Sequence, residues 1–541
     1  MRKFMILSIL AIGLFFVTSC DDDNGNGGGN TGGETTPLEV SLSVIDTFET
    51  GEFDESAAEI VAHDPISQRL FVVNANDDRV DVLDISGVPS TASLDATTSG
   101  ILLNSSIDVS QDVPEAGGIN SVDVGNGLVA VAVQNDDDSK NGFVAFYDSQ
   151  GSPQNVFNGG TQNFLEVGNL PDAVKFSDSG NRIIVSNEGE PGEDALENPV
   201  DPPGTVSIID LANGLANANA ITFGFSSFDG NIDSDVKLEP GKLPSVDLEP
   251  EFAAIAPDGQ TAVVVLQEAN AIAVVDMQQA VITDVIALGF KNHSLPGNGI
   301  DASNEDGIIN IQNWPIHGMY QPDGIESYSV GGQTYFVTAN EGDARDPEEA
   351  RVADVELDPA IFPNAAALQL EENLGRINIT TWLGNNDADD EFEELFSFGA
   401  RSFTIWDANG NLVWDSGDDF EQITAAVLAD NFNSTNDDND SFDNRSDDKG
   451  PEPENLDIGK IGDQYFAFIG LERVGGIMTY DITDPNNPIF NDYINNRNFS
   501  ADATTSEAGD LGPEGILFIS AADSPNGVPL LVVGNEVSGT T

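Results

Sequence analysis

At 541 residues with a formal charge of −74, the chain is long enough for one large repeat domain, and its surface repels nucleic acid and anionic lipid while attracting cations. A single cysteine excludes disulfides and thiolate metal sites in the folded body. After residue 20 no run approaches the roughly 20 apolar residues of a membrane-spanning helix, and 54 Gly with 27 Pro favour many short strands joined by turns.

In chain order, the first element is MRKFMILSILAIGLFFVTSC, in which Arg2 and Lys3 precede an apolar run from Phe4 to Val17. That is the layout of a secretory signal over residues 1–19. VTSC resembles the lipobox of bacterial lipoproteins, with Val17 where Leu is usual. The resemblance implies that Cys20 is acylated and holds the protein on a membrane through lipid alone. The DDD that follows resembles the export signal of surface lipoproteins and implies the extracellular face of the outer membrane, with the periplasm as the location without export. Residues 20–37, including NGNGGGNTGGETT, read as a flexible tether. Gly27, Gly29 and Gly32 have GxGxxG spacing, but no strand precedes them, so the match is discarded.

From residue 38 to 541 the chain reads as one all-β domain. VSLSVIDTFETG supplies a first strand with no blade of its own. Seven times thereafter an acidic or amide residue opens an apolar strand: Glu59, Asn120, Asp172, Glu251, Asp323, Glu454 and Glu514. A second strand then ends in Asn, Gln or Glu, as at Asn74, Gln134, Asn187–Glu188, Gln267–Glu268, Asn340–Glu341, Glu472 and Asn535–Glu536. Third strands end in Asp before a turn, at Asp84, Asp148, Asp210, Asp276 and Asp481, where local turn hydrogen bonding explains the residue. Seven such units cannot bury their faces singly and must pack around an axis, which predicts a seven-bladed β-propeller with the N-terminal strand closing the last blade. The longest insertion, between Asp346 and Gly450, holds an expected hairpin about Asn409–Gly410 and an acidic loop over 433–450 with too few apolar residues to pack. DASNEDG (301–307) is faintly like a calcium loop with its glycine off register and carries little weight.

The segments YFVTANEGDARD, RSDDKGPEPE, FAFIGLERVGGIMTYDITDP and DLGPEGILFISAADSPNGVPLLVVGNEVSGT resemble the choice-of-anchor I domain family, which is related to the mesenchyme-specific cell-surface glycoproteins. The similarity runs from about Leu38 to Thr541. It implies a propeller carried on a surface anchor. Some bacterial relatives carry an alkaline phosphatase label, which implies an alternative reading as a secreted metal-dependent phosphoesterase.

Residues at one blade position form a ring around a propeller axis, so equivalent acids converge. Their mutual repulsion must be relieved by protons or a cation, and carboxylates with amide and carbonyl oxygens favour Ca²⁺. The candidate ligands are Glu188, Glu190, Glu268, Glu341, Asp343, Glu472 and Glu536 on second strands, with Glu59, Asp172, Glu251, Asp323, Glu454 and Glu514 opposite. Arg345 and Arg473 offer anion contacts, or serve as ion-pair partners for the acids. His63, His293 and His317 share no ligand spacing and read as loop residues, and no GxSxG, HExxH or GxxxxGK motif is present. The expected function is a monomeric, calcium-binding surface module for an extracellular ligand, with binding favoured over catalysis.

Overall fold

The structure, a computed structural model, describes residues 38–91, 99–157, 160–345, 347–387 and 390–541; Cys20, the signal and the tether lie outside them. Residues Val40–Thr541 form one compact unit. Each acidic or amide opener stands in or beside the first strand of an antiparallel meander, and the apolar runs behind it are buried on both faces. The second strands Arg69–Asn74, Arg182–Asn187 and Thr261–Leu266 are buried at every position after the first. Continuous Val/Ile/Leu runs of this kind suit a strand covered on both sides.

Six four-stranded sheets follow one another, beginning at Val61, Ala116, Pro171, Ala253, Ile325 and Pro453, and a two-stranded sheet (Pro513–Ile519 and Leu530–Asn535) comes last. The hydrophobic cores lie between consecutive sheets. Phe71 and Val131 join the first two, Phe146 and Ile183 the second and third, and Ile184 and Val264 the third and fourth. Val265 packs with Phe336, Val337 with Ile469, and Phe468 with Phe518. Leu70 and Ile519 then share a core that brings the last sheet against the first. The fold is therefore all-β, mostly antiparallel, and the longest helix among the described residues is Asp419–Val427.

The third-strand aspartates cap turns. Asp84, Asp148, Asp210, Asp276 and Asp481 each accept the amide two residues on. The hairpin Ser402–Asp407 with Leu412–Asp415 turns at Asn409–Gly410, where Asp407 accepts the Asn409 and Asn411 amides.

Three expectations need correction. Residues 40–48 form no strand: the Val40 and Leu42 amides bond the Asn491 and Asp492 side chains. The segment is held by packing, with Val40 and Leu42 against Phe468 and Phe518 and with Ile45 and Phe48 against Leu530 and Val532. Backbone pairing occurs at Phe48 with Thr541, and an apolar cavity of about 290 Å³ separates the segment from neighbouring sheets. The acidic stretch 433–450 is packed, with Asn433, Ser434 and Ser446 fully buried. Hydrogen bonds and ion pairs replace apolar contacts there, as polar burial requires. Of the histidines, His63 and His317 lie on strands, and buried His293 pairs its Nδ1 with the Asn298 carbonyl at 2.8 Å.

Candidate metal centre

An extra residue in the first strand aims the openers. Pro171 pairs with Asn187 while Ala173 pairs with Ser186, and Pro453 pairs with Leu471 while Leu456 pairs with Ile469. Pro513 and Ile516 flank the same irregularity in the last sheet. Asp172, Glu454 and Glu514 sit within these bulges, which bend a strand and redirect its side chains. The acids at second-strand ends approach from the next turn. In ANEGD, Gly342 has φ 94°, and a Cβ there would stand 2.1 Å from the Gly399 nitrogen, so the turn carrying Glu341 and Asp343 requires glycine.

The result is a polar cavity of about 380 Å³ lined by Glu59, Asp172, Asp323, Glu341, Asp343, Glu454, Glu472, Glu514 and Glu536, together with Gln267, Lys449 and Arg473. Two glutamate triads stand out. Glu188, Glu251 and Glu268 bring carboxylate oxygens within 4.8 Å of one another, and so do Glu341, Glu454 and Glu472. Glu190 lies beside the first triad, near Glu268 and Asp343. At that spacing each pair of charges repels by about 3 kcal/mol at an effective dielectric of ~20.

Burial, reinforced by the neighbouring carboxylates, pushes the acids up. Glu59 and Asp323 rise to about 8 and Asp172 to about 6. Glu188, Glu251, Glu454, Glu472 and Glu514 rise well above the ordinary carboxylate range for the same reasons. Glu251 Oε2, Glu268 Oε2, Glu454 Oε2, Glu472 Oε2 and Glu514 Oε2 are buried and accept no hydrogen bond from any described residue. Oxygens so desolvated demand a partner.

The two triads differ in their cations. Lys449 Nζ lies 2.5 Å from Glu341 Oε1 and 3.3 Å from Glu452 Oε2, while Arg473 reaches Glu472 at 3.0 Å and Glu452 at 3.1 Å. Burial would raise Glu452, but Lys449, Arg445 and Arg473 together bring it down to about 2. Gln267 donates to Glu341 Oε2 at 3.0 Å and Asn436 to Glu472 Oε1 at 2.9 Å. Beside the first triad, Arg345 forms its ion pairs with Glu249 and Asp247 while its charge also acts on Glu268. No ion pair joins a base to Glu188, Glu251 or Glu268 among the described residues.

Three residues beyond the openers lies a second charged layer that sequence reasoning missed. Lys175 Nζ contacts Glu326 Oε2 at 2.9 Å, and Asp123 and Asp457 act on the same ammonium. Asp123 and Asp457 also accept the Phe176 and Phe518 amides of the following sheets, each at 2.6 Å. The recurrent spacing Asn120–Asp123, Asp172–Lys175, Asp323–Glu326 and Glu454–Asp457 was the available signal. Strict strand alternation assigns such pairs to opposite faces; where a bulge inserts its extra residue it brings them together. Glu249, Glu452 and Asn436 were likewise missed, because nothing in their local pattern marks them.

Amides serve the scaffold. Asn187 accepts the Gly168 amide and donates to Ser207, and Asn340 donates to Thr404.

An all-β chain of successive antiparallel sheets with a converging set of oxygen donors defines a repeat-built scaffold with a polar binding cavity. The chain belongs to the choice-of-anchor I domain family, whose model matches residues 59–485. It is similar to the mesenchyme-specific cell surface glycoprotein of Strongylocentrotus purpuratus, at 29% identity over 38% of this chain and 31% of that protein. It is also similar to Gigasin-3a of Magallana gigas, at 30% identity over 32% of this chain and 65% of that one. The chain thus spans about a third and just under two thirds of these relatives. Among solved structures, Kuenenia stuttgartiensis hydrazine synthase overlays with a TM-score of 0.43 at 13% identity, covering 91% of this chain and 96% of the other.

Proposed function

We propose that the protein is a lipid-anchored, extracellular seven-bladed β-propeller that binds Ca²⁺ at buried glutamates beside its acidic cavity and presents that face to an extracellular ligand. The cyclic order of inter-sheet cores, from Phe71 with Val131 round to Leu70 with Ile519, supports the propeller reading. Membership of the choice-of-anchor family and likeness to a cell-surface glycoprotein support a surface location.

The observation that carries the cation is the Glu188–Glu251–Glu268 triad. Its carboxylate oxygens lie within 4.8 Å, and among the described residues Glu251 Oε2 and Glu268 Oε2 have no hydrogen-bond donor and no basic side chain forms an ion pair with the triad. Carboxylates alone select hard cations, and the larger, more adaptable shell of Ca²⁺ suits donors from three separate segments. The Glu341–Glu454–Glu472 triad is already served by Lys449 and Arg473 and takes a cation second. The phosphoesterase alternative needs free bases to clamp a phosphoryl group, whereas Arg345 and Arg473 face carboxylates.

Calcium titration of the chelated protein by calorimetry, beside a p-nitrophenyl phosphate assay, tests the reading. Calcium binding with calcium-dependent melting and no turnover is expected. Calcium-dependent turnover abolished in Glu341→Gln would replace it with the enzyme, and melting indifferent to calcium would remove the cation.

A further inference from the structure

The polar cavity of about 380 Å³ is charged unevenly. Around Glu341, Lys449 already supplies an ammonium, 2.5 Å from Glu341 Oε1 and 2.6 Å from the Gly342 carbonyl. Elsewhere in the lining stand Glu59, Asp172, Asp323, Glu514 and Glu536, and among the described residues no base forms an ion pair with any of them. Two glycines of the last sheet draw three of these acids together. A Cβ at Gly534 would stand 2.1 Å from the Glu59 carbonyl oxygen, and one at Gly515 2.4 Å from it, so this close approach of backbones requires glycine at both positions. Gly515 adjoins Glu514, and Gly534 precedes Glu536 by two residues.

Three lining carboxylates also keep an oxygen without a donor. Glu454 Oε2, Glu472 Oε2 and Glu514 Oε2 are buried and accept no hydrogen bond from any described residue, and Glu472 as a whole is 6% exposed. Such oxygens call for a donor from outside the chain. A single metal ion does not fit the unpaired acids. Among the described residues only the two glutamate triads bring three acid oxygens within 4.8 Å, so no three of Glu59, Asp172, Asp323, Glu514 and Glu536 close around one ion. The volume lies in the range of small-molecule sites, and Ile60 and Phe252 add apolar surface to the same lining. Separated carboxylates with apolar side chains in one wall match a cation whose charges are spread along a hydrocarbon chain.

We propose that this cavity takes a linear aliphatic polyamine. One terminal ammonium repeats at Glu59, Glu514 and Glu536 the contact that Lys449 makes with Glu341, and further nitrogens serve Asp172 and Asp323. The methylenes pack on Ile60 and on the Phe252 ring, whose π-face also attracts the charge. A primary ammonium brings three N–H donors to oxygens that lack one. This ligand rests on the reading of the cavity as the binding face. The calcium centre is separate, because Glu188, Glu251 and Glu268 are not among the lining residues.

Spermidine titrated by calorimetry into the full chain, with calcium held saturating, tests the proposal. One equivalent is expected to bind, about tenfold or more tighter than butylamine, whose single ammonium serves only one group of acids. Affinity should fall about tenfold or more in Glu514→Gln and in Glu59→Gln, the loss of one charge-assisted hydrogen bond. It should hold in Glu268→Gln, which removes the calcium centre, and in Glu371→Gln, on the exposed surface. Two independent cavity positions cover the case in which one variant fails to fold. Wild-type protein that binds calcium but no spermidine would overturn the proposal and leave the calcium centre standing. Spermidine binding unchanged in both Glu59→Gln and Glu514→Gln would also overturn it, since the trication would then be held by the acidic surface at large.

Discussion

Lys449 Nζ lies 2.5 Å from Glu341 Oε1, so the triad of Glu341, Glu454 and Glu472 has an ammonium built into it. The triad of Glu188, Glu251 and Glu268 has the same spacing and, among the described residues, no ion pair to a base. Removing Glu268 should therefore weaken the calcium response. At a hundredfold excess over Kd, calcium adds about 2.7 kcal/mol to wild-type stability through one site; Glu268→Gln should lose most of it, read as a smaller calcium shift of the melting temperature.

Lys449→Met should behave oppositely. It strands Glu341, while Glu452 keeps Arg445 and Arg473, and breaking such a buried pair costs about 3–5 kcal/mol. Its melting temperature in chelator should drop, and calcium should restore more stability than it adds to wild type. Equal calcium shifts in both proteins would mean that the ammonium and the metal do not share work.

The metal-free protein should lose stability as pH rises. Glu59 and Asp323 titrate near 8 and Asp172 near 6 when folded, all raised above their ordinary values. The folded state then holds more protons than the unfolded one, so this contribution is fully present below about pH 4 and is lost through pH 6 to 8. Glu452, lowered to about 2, acts in the reverse direction and only below about pH 4.5. Melting in chelator should be lower at pH 8.5 than at 5.5, and calcium should flatten the difference.

The Lys175 layer carries its own expectation. Lys175→Met leaves Glu326, Asp123 and Asp457 facing one another and should cost about 2 kcal/mol, the pair being partly solvated. Adding Glu326→Gln should recover part of that loss, since coupled neighbours are not additive. Denaturant melts of the two single variants and the double measure the coupling.

On the proposed lipid anchoring at Cys20, Cys20→Ser should release the protein from the membrane fraction. Fractionation of cells expressing each form reads this directly.

The repeat itself was written in the residues. Openers such as Asp172 and Glu454, buried runs such as Ile183–Val185, and the turn-capping Asp276 each follow from alternation, burial and local hydrogen bonding, which act over a few residues. The list of acids that meet in the cavity could be drawn from the same register. What could not be read was the partition of charge among them. Lys449, Glu452 and Asn436 come from a stretch whose composition argues for solvent, and they are buried because each finds an opposite charge or amide on another segment.

Sequence alone settled the family, the all-β character and the recurring acidic positions, because strand periodicity and turn chemistry are local. The tertiary structure alone decided that Lys449 and Arg473 pair directly with one glutamate triad, while among the described residues no base forms an ion pair with the other. It also set Lys175 against Glu326 from another sheet. Those outcomes depend on distances between residues far apart in the chain, and electrostatic interaction is fixed by distance and burial, not by position along the polypeptide.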